Sequence, residues 1–402
     1  MIEKKILNCK SEIYFINRDI NQKMFGVKVD YGSKFDDIFI NSIYIPLGTA
    51  HFLEHMIFYK KNGHIGSNFI NYGSYANAIT SYDSTVFYAT INHYFLEVIK
   101  LLTDVLLTPP ELSEKNLNIE KRVVINEIKQ KTNNILYKKY KSHLKKLYKN
   151  KSIVSDITGS ENSLKTIGNT ELSLAYFNFY KPSNLKFFVI GKFSIKEKEK
   201  IIDELNKKIK LCKYNYTKEN IILNTERGIL NYKDFNRNLK FKFLYNLGIF
   251  SFKDPINVLK YYKRDLYGKI TIQFISKLIY DNYHDLDILE SIFSIGSNYS
   301  LITILLYNKN KTTLDFSFLF KASMKESKKY IEEILEDIKQ RLNMLYDSVD
   351  LYFLSFIEKA NFNSTLDDYF YEIKNFDYND FWKYFKSIVN IKQFLYKNTN
   401  MT

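Results

Sequence analysis

The sequence predicts a chain of mixed helices and strands in two halves of similar size. Strands and helices alternate through both halves, and a polar stretch near 213–226 separates them. The chain has 402 residues, 45% of them hydrophobic and 16% aromatic, enough for two or three domains with real cores and against bulk disorder. The similar order of elements in the two halves suggests duplication, although they share little residue identity.

The elements follow in order. Residues 12–18 and 24–31 cluster apolar residues around Asn17-Arg18-Asp19 and read as strand, turn, strand, closed by Tyr31-Gly32-Ser33. Pro46 suits the first turn of a helix predicted to run to about Tyr59. Gly63, Gly66 and Gly73 mark loops, and residues 74–81 and 84–91 read as strands from their β-branched and aromatic content. A helix over 95–107 is stopped by Pro109-Pro110, and Ser113 caps a long helix to about Lys131. A helix over 134–149, a capped helix near 163–180 and a strand over 185–190, ended by Gly191, complete the first half. A lysine-rich helix from Ser194 to Lys210 leads into the polar stretch. In the second half, strands are predicted at 228–233, 239–246, 300–307 and 313–321, and helices at 269–281, 285–294, 325–345 and 376–390.

Composition narrows the function. The formal net charge is +15, which invites nucleic acid or an anionic surface as partner. The densest basic run, 138–149, carries leucines and tyrosines at helical spacing and reads as a solvated helix face, with no nucleic-acid motif beside it. Cys9 and Cys212 are too few for a disulfide framework or a cysteine zinc site, which points to a reducing, cytoplasmic interior. The first residues do not read as a signal peptide, and no apolar run is long enough to cross a bilayer.

The chemistry concentrates in Gly48-Thr49-Ala50-His51-Phe52-Leu53-Glu54-His55-Met56. On a helix, offsets of three and four place His51, Glu54 and His55 on one face. Two imidazoles on neighbouring turns can bind one Zn²⁺ at roughly 2.0–2.1 Å, with a third protein ligand to follow and a position left open for water. Glu54 is then the natural base for that water. The order H-x-x-E-H inverts the commoner H-E-x-x-H motif. Chance alone can produce so short a motif, although six histidines in the whole chain make that harder. Further along, Glu120 and Glu127 stand seven apart on one face of a predicted helix and could bring a carboxylate to the metal, while glutamates on exposed helix faces are common.

With these residues laid out, the chain resembles the insulinase/pitrilysin family of inverted-motif zinc metallopeptidases. The resemblance runs through the segment Gly48–Phe58, through Asn77-Ala78-Ile79-Thr80-Ser81, through Glu120–Glu127 as E-x-x-V-V-x-x-E, and through Tyr180-Lys181-Pro182-Ser183-Asn184, covering about residues 25–195. It implies an α+β fold of two related domains, each a mostly antiparallel sheet covered by helices. The catalytic, zinc-binding domain would occupy 1–210, and a second insulinase-like domain without the zinc motif 225–402. It implies one Zn²⁺ per chain held by His51, His55 and Glu127, with Glu54 as general base and Glu120 orienting a ligand histidine. Asn77 and Ala78 would lie on an edge strand along which an extended peptide pairs by backbone hydrogen bonds.

The second half departs from the family pattern. Members of this length often carry an arginine followed seven residues later by a tyrosine, both contacting substrate. The corresponding stretch, from Ile295-Gly296-Ser297-Asn298-Tyr299-Ser300 through Leu306-Tyr307 to Leu314-Asp315-Phe316-Ser317, has neither. It is similar to a bacterial subgroup, some of whose members sit in gene clusters for ribosomally made peptides beside a zinc-less insulinase-like chain. Two readings follow. One is a zinc endopeptidase on short or unfolded peptides that processes a ribosomally made, bacteriocin-type precursor, paired with a zinc-less homologue or with a second copy. The other is a non-catalytic subunit that binds peptides or scaffolds a complex.

Overall fold

The computed structural model describes residues 2–20, 22–147, 154–211, 221–222, 240–242, 247–253, 261–295, 300–308, 310, 313–360, 366–389 and 394–399. The chain separates into two compact units. Met1–Asn134 and Asn150–Arg227 form one, and Ile135–Lys149 with Gly228–Thr402 the other.

The first unit is built on a six-stranded sheet of order β1-β2-β10-β3-β9-β8. Its strands are β1 (Ile2–Ile6), β2 (Glu12–Asn17) and β3 (Lys23–Val29), then β8 (Ala76–Thr80), β9 (Thr85–Ile91) and β10 (Leu185–Gly191). Only the β2–β10 pair is parallel; the other four pairs are antiparallel. Short strands β4 (Ile38–Ile40), β5 (Ile43–Ile45), β6 (Tyr59–Lys60) and β7 (Gly63–His64) form side ladders, the first joined by β11 (Ile221–Ile222). Alternation along β3 and β10 sends Phe25, Val27, Val29, Phe187 and Val189 to one face, where they join the buried side chains of helices α1 (Thr49–Met56) and α2 (Phe95–Leu107). Helices α3 (Glu114–Asn133), Glu161–Thr166, Asn169–Phe179 and Ile195–Leu211 complete the cover.

In the second unit β13 (Leu247–Lys253), β14 (Leu286–Ile295), β15 (Ser300–Asn308) and β17 (Phe394–Thr399) make an antiparallel sheet of order β14-β15-β13-β17; β12 (Lys240–Lys242) pairs with β16 (Thr313–Asp315). Helix α4 (Ile135–Leu147) groups with this unit, where buried His143 Nε2 lies 2.8 Å from Ser251 Oγ on β13. The mostly antiparallel sheets and covering helices are the α+β architecture expected.

Four expectations are corrected. The metal-motif helix stops at Met56, not near Tyr59, because Tyr59 and Lys60 turn out to pair with His64 and Gly63. The helix near 163–180 is two helices, broken at Ile167 and Gly168, where the Glu171 carboxylate accepts the Gly168 N–H at 2.8 Å and starts the second. Residues 285–294 form strand β14, not a helix: the apolar run pairs along all of β15, with a bulge between Ile288 and Glu290. In 313–321 only Thr313–Asp315 is strand. The Asp315 carboxylate accepts the Ser317 N–H at 2.9 Å and turns the chain into a short helix, Ser317–Lys321. The strand expected at 228–233 lies outside the described residues, as do 243–246, 296–299 and most of 213–226.

Candidate metal centre

Helix α1 is short, and its position is set at its N-terminus. Gly48 precedes it with φ +92°, a left-handed conformation that favours glycine, and an added Cβ there would stand 2.7 Å from the Thr158 carbonyl oxygen. The buried Asp36 carboxyl accepts the Gly48 N–H at 2.9 Å and the Ala50 N–H at 3.2 Å, satisfying donors the first turn leaves open. Burial pushes the Asp36 carboxyl above the usual carboxylate range, against the pull of those N–H donors. Thr49, Ala50, Phe52, Leu53 and Met56 are buried, which leaves His51, Glu54 and His55 on the remaining face.

Helix α3 supplies the facing carboxylates. Ser113 caps it by accepting the Asn116 N–H at 3.3 Å, and Leu117, Val124 and Ile128 are its buried stripe. Glu127 thereby faces both imidazoles: His51 Nε2 lies 3.6 Å from one carboxylate oxygen and His55 Nε2 3.7 Å from the other. The two rings are 4.8 Å apart. Among the described residues, His51, His55 and Glu127 are the group whose potential ligand atoms all fall within 4.8 Å of one another.

These separations suit a metal ion. They are too long for hydrogen bonds, yet ligands at about 2.0–2.2 Å from a tetrahedral Zn²⁺ stand roughly 3.3–3.6 Å from each other. The tautomer also suits. His55 Nδ1 is 3.1 Å from Glu120 Oε2, and since a carboxylate only accepts, the proton sits on Nδ1 and the Nε2 lone pair faces Glu127. Tyr59 donates to the other Glu120 oxygen at 2.8 Å and fixes the carboxylate.

The charge states are set by the same neighbours. Burial, with the nearby His55 and Lys131 charges, pulls His51 down to about 3, so it is a neutral ligand at ordinary pH. Burial also pulls on His55, but the Glu120 hydrogen bond and the Glu54, Glu127 and Glu120 charges outweigh it and raise its value. Glu120 is held low, first by its bond to His55. Burial pushes Glu54 up, although the Thr80 hydroxyl donates to Glu54 Oε2.

A cavity of about 210 Å³ opens beside these groups. It is lined by Glu54, His55 and Glu120 on one side, Ala76, Asn77 and Ala78 of β8 on another, and by Phe58, His64 and Gly66. Among the described residues β8 is the edge of its sheet and pairs with β9 alone. Asn77 donates to the Tyr88 hydroxyl at 3.2 Å, and its amide oxygen accepts the Ala78 N–H at 2.9 Å. The structure thus brings together His51, Glu54, His55, Glu120, Glu127, Asn77 and Ala78. Sequence reasoning missed Asp36, Phe58, Tyr59, His64 and Thr80. Thr80 was visible only as part of the N-A-x-T-S segment and Phe58 only as the end of the Gly48–Phe58 segment; nothing in the sequence marked Asp36, Tyr59 or His64.

Residues 17–157 match the family model Insulinase (Peptidase family M16). The chain therefore carries an M16 insulinase-family domain. Among curated proteins it is 29% identical over 186 residues to the uncharacterized zinc protease YmfH of Bacillus subtilis, covering 45% of this chain and 43% of YmfH. It is 30% identical over 153 residues to the mitochondrial-processing peptidase subunit beta of Saccharomyces cerevisiae, covering 37% of this chain and 31% of that protein. The matches thus span under half the length of these relatives. In fold it is similar to an M16-like peptidase from Alicyclobacillus acidocaldarius, with a TM-score of 0.76, 15% identity, and 98% and 97% of the two chains covered. It is also similar to an M16 peptidase inactive domain from Pseudomonas fluorescens, with a TM-score of 0.67, 12% identity, and 98% and 97% covered. YmfH is named a zinc protease, and the donor set of His51, His55 and Glu127 is of a kind that suits zinc.

Proposed function

We propose that this chain is a zinc-dependent endopeptidase acting on short or unfolded peptides, with maturation of a ribosomally made peptide precursor as its task. The observation that carries the reading is the shared cavity: Glu54, His55 of the His51–His55–Glu127 cluster and the edge strand β8 line one space. His51, His55 and Glu127 would hold one zinc, with Glu120 and Tyr59 fixing His55. When bound, zinc supplies Lewis acidity that polarises a scissile carbonyl and acidifies water. Glu54 takes a proton from the attacking water and hands it to the leaving amine. A peptide laid along β8 pairs with its open backbone edge near Asn77 and Ala78, replacing the bond from Asn77 to the Ala78 N–H. Backbone pairing holds many sequences, which fits selection by length and flexibility.

The catalytic role is assigned to 1–210, and 225–402 is assigned a supporting, metal-free role. A zinc-less homologue is the proposed partner, with a second copy of this chain as runner-up; the subunit relative named above is the precedent. The cysteine-poor composition favours the cytoplasm.

The second reading, a non-catalytic peptide-binding or scaffolding subunit, draws on the absent Arg/Tyr pair and on the inactive M16 domain of the same fold. Metal analysis with peptide cleavage separates the two. The endopeptidase reading expects one zinc per wild-type chain and cleavage of an unfolded peptide, with His51→Ala and Glu127→Ala losing both. A chain that takes up no zinc would sink it.

A further inference from the structure

A general base must keep one geometry while its charge changes, and Glu54 is held from behind by β8. Thr80, buried at the end of that strand, donates its hydroxyl to Glu54 Oε2. Behind Thr80 lies Thr85, fully buried on β9, with the two hydroxyl oxygens 3.3 Å apart. Thr85 Oγ1 donates to the Tyr31 carbonyl at 2.9 Å. Each hydroxyl has one proton to give. That of Thr85 goes to Tyr31 and that of Thr80 to Glu54, because an ionised carboxylate can only accept.

We propose that Thr80 is the positioning residue of Glu54, fixing the carboxyl against β8 and leaving its other oxygen as the one that handles the proton. This rests on the peptidase reading of the site. Accepting a hydrogen bond makes Oε2 the less basic oxygen, so a proton taken from water is carried on Oε1. No proton passes to Thr80, whose hydroxyl holds the carboxyl in place. A valine of the same shape would leave Glu54 Oε2 without the hydroxyl donor and free the carboxyl to rotate.

The test uses Thr80→Val and Thr80→Ser in the full chain, with two readouts. Without substrate, the Glu54 carboxylate stretch is isolated at alkaline pH as an infrared difference against Glu54→Gln. It should shift in Thr80→Val and return in Thr80→Ser. With a quenched fluorescent peptide, Thr80→Val should lower kcat about 10- to 100-fold at a KM within about twofold, with zinc content unchanged. Thr80→Ser should recover kcat to within about threefold. An unshifted band, or a kcat for Thr80→Val within about twofold of wild type, overturns the assignment. Loss of zinc, or equal loss in Thr80→Ser, also overturns it by marking a packing role. A Thr80-dependent band in a wild-type chain that takes up no zinc overturns the peptidase reading and upholds the Thr80–Glu54 pairing.

Discussion

Each acidic residue around the His51–His55 pair does a different job because each meets a different neighbour. Glu127 faces both Nε2 atoms, Glu120 faces His55 Nδ1, and Glu54 faces Thr80. Glu120→Gln should therefore keep the fold and weaken zinc affinity about 10- to 100-fold, read by competition with a chelating dye. Unchanged affinity would remove Glu120 from the site. Proton linkage gives a second prediction. His55, raised in the metal-free chain, must lose a proton to bind zinc, whereas His51 at about 3 has none to lose. Zinc affinity should fall as pH drops through the raised His55 value, and calorimetry near neutral pH should detect proton release as heats that depend on the buffer. Buffer-independent heats would contradict this. The His51–Glu54–His55 face was legible in the sequence because a helix repeats every three to four residues. Tyr59 and Asp36 were not, since their partners, Glu120 and Gly48, are brought near only by folding.

At the scale of elements, the metal ligands are only as well placed as α1, a two-turn helix too short to stand alone. Its seat depends on Asp36 and on the close pass of Gly48 against Thr158. Gly48→Ala puts a Cβ against a backbone oxygen at a left-handed φ, and it should cost about 1–3 kcal/mol. Asp36→Ala, which leaves buried N–H groups without their acceptor, should cost about 1–3 kcal/mol. Denaturant titration checks both, and both should lower zinc affinity alongside stability; a variant that loses neither would show that α1 is seated otherwise. Capped helices such as α3 and proline-stopped ones such as α2 were legible because their signals are local. The strand at 286–295 was not, because its apolar run suits either a buried helix or a strand until β15 is there to pair with it.

For the whole molecule, two units were legible from the alternation of elements and the polar stretch between the halves. The assignment of 135–149 to the second unit was not, because it depends on long-range packing such as His143 against Ser251. The matched M16 model covers 17–157, which holds His51, Glu54, His55, Glu120 and Glu127, while 228–402 lies beyond it. Whether the chain works alone is therefore a separate question from whether its centre is competent. The direct test of competence is hydrolysis of a quenched peptide library by the purified wild-type chain beside Glu54→Gln, with zinc measured on both. The account predicts one zinc in each and turnover in the wild type that falls by about 100- to 10,000-fold in the variant. Measurable turnover of equal size in the two proteins would contradict it.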